Sequence, residues 1–302
     1  MSYGEPHPIG QQFGQQFGRL AIALLIGAIA MGLVAMRGCQ QGPFGRSQIV
    51  ALSPQQEMQL GAQAFREVLA ESRGNVLENG PIVEEVKEVT RRLVRATRTP
   101  EFLRITRLKL RPYEWEVRVI RSKEVNAFCL PGGKMVVYTA ILPVCQTDAG
   151  LATVMGHELA HALAQHGAER MAQQQLAQIG LTAAGGALGD MDARQRIAIM
   201  QVLNAGAKFG ILRYSRKHES EADHIGLLLM AAAGYDPRES VKFWTRMSKT
   251  TGGGKTPEFL STHPSHETRI RDLTNWVPEA LPLWENSPNR EERPTRLSLS
   301  GS

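Results

Sequence analysis

Residues 154–163, Val154-Met155-Gly156-His157-Glu158-Leu159-Ala160-His161-Ala162-Leu163, decide the reading of this chain. His157 and His161 are four apart, so on a helix they stack on one face and both imidazoles reach one ion. Glu158 points beside that ion rather than at it, where it can take a proton from water whose pKa zinc lowers to about 7. Val154, Met155, Leu159, Ala160 and Leu163 surround the motif with apolar side chains, as on a buried helix. Two histidines on an ordinary helix share this spacing. A catalytic zinc site also needs a third protein ligand and one open position.

No histidine supplies that ligand at the metzincin spacing, because His166 comes too soon, and the helix angle turns it away from the ion. Downstream lies Arg216-Lys217-His218-Glu219-Ser220-Glu221-Ala222-Asp223. Glu219 and Asp223 share a helical face. Glu219 could bind the metal, and Asp223 could hydrogen-bond a ligand histidine from behind. Taken alone, the segment also reads as an exposed charged helix turn.

The surroundings read as a helical body with a small sheet. Ser53-Pro54-Gln55-Gln56-Glu57 starts a helix to about Ser72 with a capping serine and an N-terminal proline. Pro81 opens another to about Thr97. Strands are expected over Glu114–Arg121, Asn126–Leu130 and Lys134–Thr139, the last two around Pro131-Gly132-Gly133. Asp148 is expected to cap the motif helix, which continues to about His166. Further helices are expected over Ala172–Phe209, Arg216–Ala233 (ending at Gly234), Pro237–Lys249 and His266–Trp276.

Residues 1–19 form a Gly/Gln/Pro-rich flexible N-terminus. From Leu20 to Met36 no residue is charged, with Arg19 and Arg37 at the ends. Segment 20–37 is expected to be a transmembrane anchor; a cleaved signal with Ala28-Ile29-Ala30 at its cleavage site, or a buried core helix, fits the same run. A linker (38–50), the catalytic domain (51–280) and a polar, disordered tail (281–302) complete the organisation. The net charge of +6 is scattered, so no nucleic-acid partner is expected. Three cysteines are too few for a disulfide scaffold. Cys129 and Cys145 read as a pair or as two buried thiols.

HExxH followed by a helix bearing Glu-x-x-Ala-Asp resembles the gluzincin peptidases that include HtpX, BepA, the mitochondrial protease Oma and the CaaX prenyl protease. The resemblance runs from about Leu52 to Val277. It includes Asn126-Ala127-Phe128-Cys129-Leu130-Pro131-Gly132-Gly133, Tyr214-Ser215-Arg216, and Thr262-His263-Pro264-Ser265-His266 with Arg269. It implies an α+β, mostly helical zincin-like domain with a small sheet beside the HExxH helix, preceded by an N-terminal transmembrane helix. It implies one Zn2+ on His157, His161 and Glu219, ahead of the nearest competitor Glu221. Glu158 would be the general base, with Asp223 behind the ligands. His263 would aid catalysis or gate the site, and Arg269 would bind substrate carbonyl groups. Asn126, Ala127 and Phe128 would lie on the edge strand that pairs with substrate.

The single apolar span is closer to the BepA-type envelope enzymes than to the many-pass ones, so prenylated substrates are not expected. The reading is a membrane-anchored zinc endopeptidase on the extracytoplasmic side, acting on unfolded or misfolded proteins in quality control. The alternative is a proteolytically latent, chaperone-like adaptor for envelope protein assembly, and a zinc hydrolase of another bond is a minor third.

Overall fold

In a computed structural model the described residues are 25, 27–29, 32, 33, 36, 38–50, 52–187, 214–250, 257–263 and 268–298. The chain divides into two compact units. Gln41–Ser47, Leu52–Ala168 and Gly210–Ser302 form the unit that carries the HExxH motif. The other unit comprises Met1–Gln40, Gln48–Ala51 and Glu169–Phe209. The expected anchor at 20–37 lies largely outside the described residues. Among the described residues no helix is long and apolar enough to cross a membrane.

The helices of the first unit begin where proline and capping side chains place them. Helix α1 (Pro54–Glu71) has Pro54 at its first turn and a capping box, in which Ser53 and Gln56 exchange side-chain-to-backbone hydrogen bonds. Helix α2 (Pro81–Ala96) buries Val86, Val89 and Leu93 on one stripe. Helix α3 (Pro100–Thr106) was not anticipated from the sequence. A four-stranded sheet follows: β1 (Val76–Leu77), β2 (Glu116–Ile120), β3 (Ala127–Leu130) and β4 (Lys134–Tyr138), in the order β1-β2-β4-β3. Strands β2 and β4 are parallel, with Val117 opposite Met135. Strand β3 runs antiparallel to β4, with Ala127 opposite Val137, and has no strand on its other side among the described residues.

The motif helix is α4 (Asp148–Leu163). Its cap is Thr147, not Asp148: the Thr147 hydroxyl accepts from the Gly150 N–H, and Asp148 occupies the first turn. It also stops earlier than expected. Gln165 takes a positive φ of 59°, and His166 begins a separate helix, α5 (His166–Ala187). Of the segment 172–209 expected to be helical, 188–209 lie outside the described residues. Helix α6 (Arg216–Ala232) carries Glu219 and Asp223 and ends before Gly234, whose φ is 92°. It crosses α4 at two glycines. A Cβ on Gly226 would lie 2.9 Å from the His157 backbone nitrogen, and one on Gly156 would lie 3.1 Å from the Gly226 carbonyl oxygen. Without those Cβ atoms the two backbones come close enough for ligands from both helices to meet.

Helices α7 (Arg238–Lys249), α8 (Glu258–Thr262) and α9 (Arg269–Glu285) complete the unit. The last is longer than the expected 266–276 and runs through Pro278 and Pro282. The expected disordered tail needs correction over its described part. Leu281–Glu285 belong to α9, Leu297 is buried and donates its N–H to the Gln146 carbonyl, and Ser298 bonds Glu85. Polar composition hid these few specific contacts. Cys129 and Cys145 are separate thiols, the second fully buried.

Candidate metal centre

Four side chains converge where α4, α6 and the end of α8 meet. His157, His161 and Glu219 are each 1% exposed, and His263 is 3% exposed. One donor atom from each lies within 4.8 Å of every other. His157 Nε2 is 3.1 Å from His161 Nε2 and 3.2 Å from His263 Nδ1. The Glu219 carboxylate is 3.5 Å from both Nε2 atoms and 3.1 Å from His263 Nδ1. Glu221, the competing ligand, is turned toward His166 and Arg46. Three imidazole nitrogens and a carboxylate, buried and aimed at one point, suit a divalent ion taking nitrogen and oxygen ligands. The sequence-level triad is therefore brought together, with His263 as a fourth member.

Behind the ligands, Asp223 and Arg269 hold the ligand side chains by hydrogen bonds. His157 Nδ1 donates to Asp223 Oδ1 at 2.9 Å, leaving its Nε2 for an ion. Arg269 Nε donates to Asp223 Oδ2 at 2.6 Å, and its Nη2 to Glu219 Oε2 at 2.7 Å. The guanidinium lies 3.8 Å over the Trp244 ring on α7. Arg269 is 1% exposed, so the structure places it beneath the carboxylates. Among Glu219, Asp223 and Arg269, two anions face one cation. The excess of one negative charge is balanced by a proton on His157 or by a bound metal ion.

The proton affinities follow from this arrangement. Burial depresses His157, but the Asp223 and Glu219 carboxylates outweigh it and lift its pKa to about 9 in the metal-free protein. His161 goes well below its ordinary value, through burial first and then the charge of His157. Burial raises Glu219, yet His263 and His157 hold it well below the usual carboxylate range. Glu158 lies 3.3 Å from His263 Nε2 and is 2% exposed. Burial raises its pKa, although His263, His157 and the Cys129 backbone amide oppose the shift. The upward direction makes the Glu158 carboxylate a stronger base.

The candidate substrate residues lie on the free-edged strand. Asn126 is buried; its side chain accepts from the Ala127 N–H and its carbonyl from the Tyr138 N–H. Phe128 packs edge-on against Tyr138, with centroids 6.0 Å apart. The Val125 carbonyl accepts from the Phe259 N–H at 3.1 Å, tying this strand to the helix that ends at His263.

Two ring contacts at the site were not assigned a role from the sequence. Tyr214 stacks on His161 with centroids 3.9 Å apart. Trp244 lies edge-on to His157 as well as beneath Arg269. Tyr214 sits one residue before the α6 cap, close enough to a ligand helix to have been suspected, whereas nothing local marks Trp244.

Residues 84–277 match the model of peptidase family M48. The chain is 36% identical over 234 residues to the mitochondrial metalloendopeptidase OMA1 of Schizosaccharomyces pombe, covering 76% of this chain and 64% of that protein. It is 32% identical over 254 residues to the mitochondrial metalloendopeptidase OMA1 of Saccharomyces cerevisiae, covering 80% and 70%. It is 28% identical over 284 residues to the β-barrel assembly-enhancing protease of Escherichia coli, covering 89% and 54%. The matches thus span between 54% and 70% of the length of these relatives. The chain belongs to peptidase family M48.

Proposed function

We propose that this member of peptidase family M48 is a zinc-dependent endopeptidase, with His157, His161 and Glu219 as zinc ligands and Glu158 as general base. The observation that carries the proposal is the convergence of three buried ligand atoms from two helices beside a buried carboxylate of raised pKa. When bound, zinc supplies a Lewis acid that polarises the scissile carbonyl and acidifies water. Glu158 takes the proton of the attacking water and returns it to the leaving amine. His263, whose Nε2 faces Glu158, is placed to donate to the developing oxyanion. Arg269, which the resemblance implied would bind substrate carbonyl groups, acts here as a positioning residue that holds the Glu219 and Asp223 carboxylates in place. The open edge of β3 offers backbone groups to an extended chain, a mode tolerant of sequence and suited to unfolded substrates.

The apolar run Leu20–Met36 supports a membrane anchor with the catalytic unit on the extracytoplasmic side. The proposed role is quality control of misfolded or envelope proteins; the printed name of the Escherichia coli relative ties that protease to β-barrel assembly. A second reading, a latent adaptor, draws on one observation: His263 Nδ1 sits among the ligand atoms, where a fourth donor would close the open position. Glu158→Gln in the full chain should lower cleavage of unfolded casein by about 10²–10⁴-fold while zinc content stays at one per chain. Full cleavage by that variant sinks the mechanism. Wild-type protein that holds zinc, cleaves nothing and still suppresses aggregation of an unfolded protein favours the adaptor.

A further inference from the structure

The two ligand histidines of α4 are supported differently. His157 donates directly to a carboxylate, whereas the neighbour at His161 Nδ1 is another imidazole. His161 Nδ1 lies 2.9 Å from His166 Nδ1, and His166 Nε2 lies 2.7 Å from Glu221 Oε2. The Glu221 carboxylate also accepts from Arg46 Nε at 2.7 and 2.9 Å. His166 is fully buried and stacks on His218, with centroids 4.4 Å apart and planes 20° from parallel.

With both imidazoles neutral, only one proton arrangement satisfies this row. Glu221, ionised, accepts only, so His166 must carry its proton on Nε2. His166 Nδ1 is then an acceptor, and His161 must carry its proton on Nδ1. His161 Nε2, the atom aimed at the ligand cluster, is left with a free lone pair. Reversing the row would put a proton on His161 Nε2 and block coordination.

Arg46 comes from a segment held against the ligand helix by more than this pair. The turn Gly42–Arg46 is closed by the Gly42 N–H donating to the Arg46 carbonyl at 2.7 Å. Phe44 adopts a φ of 52° and Gly45 one of 80°. The Phe44 ring stacks on His224 of α6 at 4.7 Å, and His224 in turn stacks on Trp276 of α9 at 4.4 Å. These two contacts of the turn, through Arg46 and Phe44, fall on the helix that carries Glu219 and Asp223.

We propose that His166, Glu221 and Arg46 are positioning residues that fix the proton of His161 on Nδ1 and so keep its Nε2 available to the metal. The inference rests on the reading of His161 as a metal ligand. It extends the metal site outward, through Glu221, to a turn that reads as linker in the sequence.

The test uses the full chain and Zn2+ or Co2+ as probes. Zinc affinity is measured by competition with a fluorescent chelator, the Co2+ absorption spectrum reports ligand geometry, and thermal unfolding is followed on the metal-free protein. His166→Phe keeps the stack on His218 and removes the acceptor. It should weaken zinc by about ten- to hundred-fold and shift the Co2+ bands. Arg46→Ala, at a partly exposed position, should weaken zinc by about two- to fivefold, with partial recovery in Arg46→Lys. The metal-free unfolding temperature of Arg46→Ala should stay within a few degrees of wild type, since a merely structural role would move that temperature and not the affinity. Should His166→Phe fail to fold, Arg46→Ala decides alone. Unchanged zinc affinity in Arg46→Ala together with any folded His166→Phe protein overturns the inference. Wild-type protein that binds no zinc would overturn the proposed function instead.

Discussion

Substituting Gly226 by alanine tests whether the crossing of α4 and α6 sets the geometry of the site. The new Cβ would sit 2.9 Å from the His157 backbone nitrogen, 3.0 Å from the Gly156 carbonyl carbon and 3.1 Å from the His157 α-carbon. Carbon atoms in van der Waals contact prefer about 3.5–4.0 Å, so the helices must part by roughly 0.5–1 Å. None of the three atoms belongs to a side chain that can swing away. Overpacking of this kind costs about 1–3 kcal/mol, while replacing glycine by alanine inside a helix returns about 1 kcal/mol. The net loss is about 0–2 kcal/mol, a fall of up to roughly 8 °C in unfolding temperature at about 2–4 °C per kcal/mol.

The effect on metal should be larger than that on stability. Glu219 lies two turns earlier on α6, about 10 Å along its axis, and moves with it. Metal–ligand distances tolerate only about ±0.2 Å. Zinc affinity should therefore fall by at least about tenfold. Gly156→Ala meets one tight atom, the Gly226 carbonyl oxygen at 3.1 Å, and should do less on both counts. Thermal unfolding without metal, together with chelator competition, measures the two effects. A Gly226→Ala protein that is more stable than wild type and binds zinc equally well would refute the reasoning.

Two further outcomes follow from the polar groups of the site. Asp223→Asn removes the anion that orients His157 and pairs with Arg269, and should weaken zinc by about ten- to hundred-fold in the same competition; an unchanged constant would exclude that role. In the metal-free protein His157 holds a proton up to about pH 9, while His161 stays neutral and Glu219 ionised. Zinc must displace that one proton, so affinity should rise about tenfold per pH unit between pH 7 and about 9 and then level off. Stability of the metal-free form runs the other way. The folded pKa lies above the ordinary 6.5, so the contribution is fully present below about pH 6.5 and is lost as pH rises through about 9. Affinity independent of pH over this window would show that His157 is not protonated before zinc arrives.

The parts of the site legible in the sequence are those where function follows helical spacing. The four-residue steps from His157 to His161 and from Glu219 to Asp223 placed four side chains on two faces. Family resemblance, not spacing, pointed to His263. Prolines and Ser53 located helix starts, because N-terminal amides without partners impose local demands. Misread features depend on partners far away in the chain. The break at Gln165 has no glycine to announce it, and its side chain bonds Glu57 from α1. Arg269 reads as a substrate-binding group until two carboxylates on α6 are found to occupy it. Arg46 looked like part of a linker, since nothing nearby reveals a partner 175 residues on.

The side chains that converge at the site come from segments far apart along the chain, with a separation of 106 residues from His157 to His263 and of 44 from Glu219 to His263. An ion seated there closes loops of that size, and it can do so only after α4 and α6 have met. Because such an ion prefers the folded chain, at a hundredfold excess over its dissociation constant it adds about 2.7 kcal/mol of stability. That increment would reduce the population of opened molecules about a hundredfold. On the proposed function, starving the cell of zinc would then shorten the protein's lifetime, since opened molecules are what neighbouring proteases can cut.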